Sequence, residues 1–167
     1  RDRVILLLLC TTGIRASECA TIKEKDVDLQ NRMIRVLGKG NRERVVMINE
    51  TTAKAIENYI KFRGSQTRDQ DFFKVRTGKG INRKRIFERV KYYLQKARIF
   101  KKISPHRLRH SFATKMIQDG VNIATLKELL GHRNIQSTMR YIQTTGEELR
   151  KAIAKLNIDE TFERIVS

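Results

Sequence analysis

Ser104-Pro105-His106-Arg107-Leu108-Arg109-His110 opens a helix and loads its first turns with cations. Serine can cap the free amides of a first turn. Proline, which occurs here and nowhere else in the chain, suits the first helical position because it has no N–H to leave unpaired. His106 and Arg109 lie three residues apart and so project from one face. His110 is turned away from that pair and reads as a satisfied core histidine. This helix runs to about Asp119 and stops at Gly120; another starts after Asn122 and ends at Gly131.

Working outward, Asn82 to Ala97 reads as a helix buried along Ile86, Val90, Tyr93 or Leu94, and Ala97. Residues 79–102 hold ten Lys and Arg but one acid, Glu88, which suits docking along a phosphate backbone. Gly64–Gly80 is a loop, and Asn49 caps a helix running to about Phe62 with Ala53, Ile56 and Ile60 inward. Met33–Leu37 and Arg44–Ile48 form a hairpin across Gly38-Lys39-Gly40-Asn41, where glycine and asparagine tolerate a tight turn. Asp26–Leu29 adds a third short strand. Asp2–Thr11 is a buried helix ended by Thr12-Gly13, and a short helix follows from Ala16 to Ile22. Beyond Gly131, helical stretches are expected near Gln136–Tyr141 and Glu147–Leu156. The stripe Leu149, Ala152, Ile153 and Leu156 fits either the chain's own core or a neighbouring protomer. The fold class is therefore α+β, mainly α-helical, with one small antiparallel sheet.

The chain has 167 residues and 40% hydrophobic content, enough for one domain with a real core. Its 36 Lys and Arg against 18 Asp and Glu give a net charge of +18. Such a surplus repels itself in a compact fold, and nucleic acid is the usual partner that relieves it. Cys10 and Cys19 are too few for a disulfide framework, so a reducing, cytoplasmic setting is expected. Val4–Cys10 is far too short to span a bilayer, and no membrane partner is expected. The first residue falls almost inside that apolar run, so the sequence reads as the continuation of a longer chain.

All three histidines, His106, His110 and His132, fall within 27 residues. Zinc hydrolysis would want a glutamate after His106, but Arg107 stands there. Two-metal nucleases need grouped carboxylates, and the acids here are scattered. Phosphoryl transfer by cationic side chains is the chemistry that fits, with arginines and imidazoles clamping the developing negative charge.

The boxes carry a family resemblance. Thr12-Gly13-Ile14-Arg15-Ala16-Ser17-Glu18 resembles the first arginine box, T-G-x-R-x-x-E, of the tyrosine recombinase (phage integrase) family. Ser104–His110 is similar to the family's H-x-x-R box, and Leu130-Gly131-His132 to its L-G-H box. Tyr141 lies nine residues past His132, where the family places its nucleophile. Gly38–Arg44 resembles the lysine hairpin of integrases and Xer-type recombinases. Each box alone is weak; all of them in order across positions 12–141 are specific.

The resemblance implies a tyrosine recombinase catalytic domain over residues 1–167, without the amino-terminal core-binding domain, acting on double-stranded DNA as a homo-oligomer, a tetramer. Tyr141 would attack the scissile phosphate and leave a 3′-phosphotyrosine. One phosphodiester replaces another, so neither ATP nor metal is needed and no cofactor is expected. Arg15 and Arg109 would hold the non-bridging oxygens, and His132 would donate a further hydrogen bond. His106 would either accept the Tyr141 proton or add an oxyanion donor. Lys39 would protonate the departing 5′-oxygen. Glu18 would orient Arg15 rather than touch DNA. Type IB topoisomerase-like strand relaxation and a non-catalytic basic DNA-binding module are the alternatives.

Overall fold

A computed structural model describes residues 1–38, 43–64, 66–101, 103–130 and 153. The helices are α1 (Asp2–Thr12), α2 (Ala16–Ala20), α3 (Glu50–Arg63), α4 (Arg83–Lys96), α5 (Pro105–Gln118) and α6 (Ile123–Leu130). Between α2 and α3 lie the strands β1 (Val27–Asp28), β2 (Met33–Leu37) and β3 (Glu43–Met47). They form one antiparallel sheet in the order β1-β2-β3, with Ile34 opposite Val46 and Val36 opposite Arg44.

Helix α1 is the axis of the molecule. Val4 through Leu9 are buried without a break, so the helix has no solvent face over that stretch; Arg3, in its first turn, is exposed. An all-round apolar helix is stable in water only when neighbours surround it, and α1 packs against α2, α3, α4 and α5. Its polar end is satisfied locally. The Thr12 hydroxyl donates to the Leu8 carbonyl at 2.6 Å, and the Thr11 hydroxyl donates to the Leu7 carbonyl at 2.9 Å. Gly13 ends the helix at φ 62°, the left-handed conformation that glycine adopts without a Cβ penalty. The free thiols Cys10 and Cys19 sit against this core, and burial pushes both up, Cys10 to about 12.

Three helices begin on side-chain caps, of which Asn49 and Ser104 were expected and Asn82 is an addition. Asn49 accepts from the Thr52 amide, Asn82 from the Arg85 amide and Ser104 from the Arg107 amide, with Pro105 following in the first turn. Asx and hydroxyl oxygens replace the partners that first-turn amides lack. Gly120 closes the α5 region at φ 80°.

Several boundaries differ from expectation. Helix α2 stops at Ala20, because Ile22 leaves the helix to be buried and to accept the Phe72 amide. The third strand shortens to Val27–Asp28, where an Asp28–Asn31 turn begins. The 64–80 loop is pinned: Phe72 and Phe73 meet edge to face at 4.9 Å in the core beside Tyr59. Isolated bridges pair Lys23 with Asp71 and Lys74 with Gly80.

A second, smaller cluster joins Met47, Phe112, Met116, Leu126 and Leu129 to Ile153. Ile153 therefore enters the chain's own core. The rest of its stripe, and the helical stretches expected near 136–141 and 147–156, lie otherwise outside the described residues. Among the described residues no helix is long and apolar enough to cross a membrane. Replacing Leu8 by Ala should lower the unfolding free energy by about 3 kcal/mol in urea titration, the usual cost of a buried leucine cavity. Phe62→Ser, at a site 89% exposed, should change it by less than about 0.5 kcal/mol.

Candidate active site

The turn from α1 into α2 places Arg15 at the N-terminal boundary of α2, with extended backbone (φ −75°, ψ 146°). Glu18, three residues on, reaches back: its Oε2 accepts the Arg15 amide at 2.8 Å and its Oε1 accepts Arg15 Nη1 at 2.7 Å. Arg44 on β3 donates Nη2 to the same Oε2 at 2.8 Å. The Glu18 side chain is only 2% exposed, against 9% for Arg44 and 37% for Arg15. Burial by itself would raise the Glu18 carboxyl. The Arg44 charge and hydrogen bond, helped by Arg15, reverse that and hold it below its usual range. Glu18 therefore stays ionised and holds the near end of the Arg15 guanidinium.

Arg109 faces inward from α5 and is 8% exposed. Its Nη1 donates to the Gly13 carbonyl at 2.5 Å and its Nη2 to the Leu130 carbonyl at 2.7 Å. Of a guanidinium's five N–H donors, these two are used. Burial, with Arg15 and Arg44 nearby, lowers Arg109 to about 10, which leaves it charged at neutral pH. Gly13 makes the arrangement possible. A Cβ there would lie 2.6 Å from the Phe112 ring, so the turn and α5 touch where only glycine fits.

Arg15, His106 and Arg109 line one pocket of about 280 Å³, together with Arg83, Phe87 and the first turn of α2. Among the described residues no carboxylate lines it. A cavity walled by guanidinium and imidazole groups, with its one buried acid behind the wall, can hold an anion and stabilise added negative charge on it. His106 is exposed at the rim.

Of the residues singled out from the sequence, the structure brings Arg15, His106 and Arg109 to one pocket, and Glu18 is bonded to Arg15 without lining it. Lys39, His132 and Tyr141 lie outside the described residues. His110 is a correction: it is an exposed residue, not a core histidine. Helix α5 buries Arg109, Phe112 and Met116 on one stripe, and position 110 is one residue, about 100°, past the start of it. His110 instead meets the Thr114 hydroxyl at 3.3 Å and lines a separate groove with Arg107 and Lys115. Two arginines at the pocket or behind it, Arg83 and Arg44, were not singled out from the sequence. Arg83 could have been found from its place in the first turn after the Asn82 cap, at the head of the basic helix. Arg44 alternates with Val46 and Ile48, so strand periodicity already put it on the inward face.

The chain matches the phage integrase family over residues 1–148. It is 36% identical to the tyrosine recombinase XerC of Pelobacter propionicus over 155 residues, 93% of this chain and 51% of that protein. It is 42% identical to the tyrosine recombinase XerC of Staphylococcus carnosus over 159 residues, 90% of this chain and 52% of that protein. The crystal structure of XerA recombinase superposes with a TM-score of 0.71 at 28% identity, covering 98% of this chain and 57% of that one. The XerH site-specific recombinase bound to its difH substrate, in a pre-cleavage complex, gives 0.69 at 26% identity, covering 89% and 44%. The chain spans about half the length of the relatives it matches.

The depressed Glu18 carboxyl sets a pH dependence. Its ion-pair contribution is complete above its ordinary value of 4.5 and is lost as pH falls through the lower folded value. Glu18→Gln should therefore cost about 3 kcal/mol at pH 7, where Arg44 is left buried without its counter-charge. Urea titrations repeated at falling pH should find that gap closing below the ordinary carboxylate range; a gap independent of pH would contradict the ionised pair.

Proposed function

The chain belongs to the phage integrase family, and from that premise we propose that it is the catalytic domain of a site-specific DNA recombinase. It cleaves and rejoins double-stranded DNA by transesterification through a 3′-phosphotyrosyl intermediate. The observation that carries this reading is the convergence of Arg15, Arg109 and His106 on one acid-free pocket. A phosphodiester carries one negative charge, and attack on it builds a second on the non-bridging oxygens, which is the charge such a pocket favours.

In this mechanism the scissile phosphate enters with its non-bridging oxygens toward Arg15 and Arg109. Arg109 is already fixed by two backbone carbonyls, so its remaining N–H donors are aimed without further ordering. Arg15 is steadied by Glu18 in the same way. The Tyr141 phenol oxygen attacks phosphorus as the bond from phosphorus to the 5′-oxygen breaks. The phenol ionises near pH ~10 in water, so its proton must leave as attack proceeds, and His106 would either take it or add a donor to the oxyanion. Lys39 delivers a proton to the departing 5′-oxygen, and His132 donates to the phosphate. Reversal, with a 5′-hydroxyl attacking the phosphotyrosine, restores the diester. Bond energy is conserved in the covalent intermediate.

The +18 charge supports duplex DNA as the partner in a cytoplasmic setting. A tetramer on paired sites is the assembly that exchanges strands in this scheme.

A nicked duplex, selected from a randomised pool for retention by the protein, should trap a covalent adduct. Tyr141→Phe should abolish the adduct and leave retention within about twofold, since a hydroxyl contributes little beside the phosphate contacts. An adduct on the Phe variant would remove Tyr141 as nucleophile. Arg15→Ala and Arg109→Ala should each slow trapping by about 10²-fold, the usual effect of losing one oxyanion donor. Thermal unfolding of the same proteins separates lost chemistry from lost fold at Arg109. Retention should also weaken steeply with salt, the log–log slope being about −0.9 per phosphate neutralised; a flat response would count against backbone contacts.

A further inference from the structure

We propose that Arg44 is a positioning residue of the cleavage site: one arm of its buried guanidinium holds the Glu18 carboxylate that carries Arg15, and the other holds the end of α6. The role rests on the recombinase reading given above. Arg44 Nη2 donates to Glu18 Oε2 at 2.8 Å, and Nη1 donates to the Leu129 carbonyl at 3.0 Å. The next carbonyl, that of Leu130, is taken by Arg109. Adjacent carbonyls at one helix end are thus gripped by two arginines. One of these reaches Arg15 through Glu18, and the other lines the pocket beside Arg15. Segments about a hundred residues apart in sequence are locked into one body, and His132 follows Leu130 by two residues. Arg44 does not itself line the pocket, so it acts through the groups it holds.

Stability alone does not account for an arginine here. Arg44 pairs with Val36 in the sheet and is buried on the same side as Ile34, Val36 and Val46. Its Nε is buried with no hydrogen-bond partner among the described residues. An apolar residue of similar volume would fill such a place at lower desolvation cost. A forked cation is needed only if two acceptors on different elements must be kept at a fixed separation. Lysine can supply the charge toward Glu18 but not the fork.

The test compares wild type, Arg44→Lys and Arg44→Met on the nicked duplex that traps the adduct. It reads the single-turnover rate at saturating protein, the half-saturating concentration, the pH profile and thermal unfolding. We expect Arg44→Met to trap at least about tenfold more slowly, within the range that a small misplacement of reacting groups costs, with half-saturation close to wild type. Arg44→Lys should recover part of the rate. The Met variant should also lose rate at a higher pH than wild type as pH falls into the carboxylate range, because Glu18 takes up a proton more readily without its strongest cation. A merely structural residue would lower the unfolding temperature without moving that profile.

A full rate in Arg44→Met overturns the proposal, as does a Lys variant no better than Met with a wild-type profile. If the Met protein does not fold, the Lys protein decides: slowed trapping at wild-type affinity supports the role, and an unchanged rate and profile overturn it. Wild type that forms no adduct removes the recombinase reading and this role with it, which separates that failure from a failure at Arg44 alone.

Discussion

The structure depends on one buried carboxylate. Glu18 sits 2% exposed in a chain with twice as many cations as anions, and both of its oxygens are occupied by arginine. Isolated, it would be driven toward its neutral form. Between Arg15 and Arg44 it is held ionised, and it pulls two like-charged side chains from different elements to one point. Arg109 joins them without any acid, by donating to the carbonyls of Gly13 and Leu130. The C-terminal end of a helix carries partial negative charge, so α6 supplies counter-charge that no side chain needs to provide. The outcome is a cluster of guanidinium groups whose neutralising partners, among the described residues, do not line the pocket.

That placement connects packing to chemistry. A carboxylate in front of the wall would compete with an entering phosphate and repel it. Behind the wall it restrains Arg15 while leaving the outer donors open. The core enforces the geometry: α1 is buried all round from Val4 to Leu9, α5 packs on it, and the Gly13 turn lies against Phe112. A displacement of α5 along α1 would carry Arg109 off the Gly13 carbonyl.

Much of this was legible in the sequence because it is written in local rules. Ser104-Pro105 starts a helix by capping chemistry, and the three-residue spacing puts His106 and Arg109 on one pocket. The T-G-x-R-x-x-E box contains its own ion pair, since Glu18 lies within one turn of Arg15. Non-local facts were harder to see. The link between Arg44 and Glu18 spans 26 residues, and that between Arg109 and Gly13 spans 96, so neither follows from periodicity. His110 reads as a core histidine because it turns away from the His106–Arg109 face, yet the Arg109 stripe, with Phe112 and Met116, is the buried one and leaves His110 facing solvent. The shortening of α2 has the same origin, since Ile22 is claimed by the 64–80 loop, a partner invisible in the local pattern. The roles of Lys39, His132 and Tyr141 remain readings of their boxes.

The contact between Gly13 and Phe112 has a consequence for how such a molecule fails. The basic surface that would hold DNA is spread over several helices and survives small rearrangements, whereas the guanidinium cluster survives only while α1 and α5 stay in register. Heat, truncation or a cavity near that contact would part the guanidinium groups before it disperses the rest of the positive surface, so focused grip on a single anion is lost ahead of general attraction to polyanions.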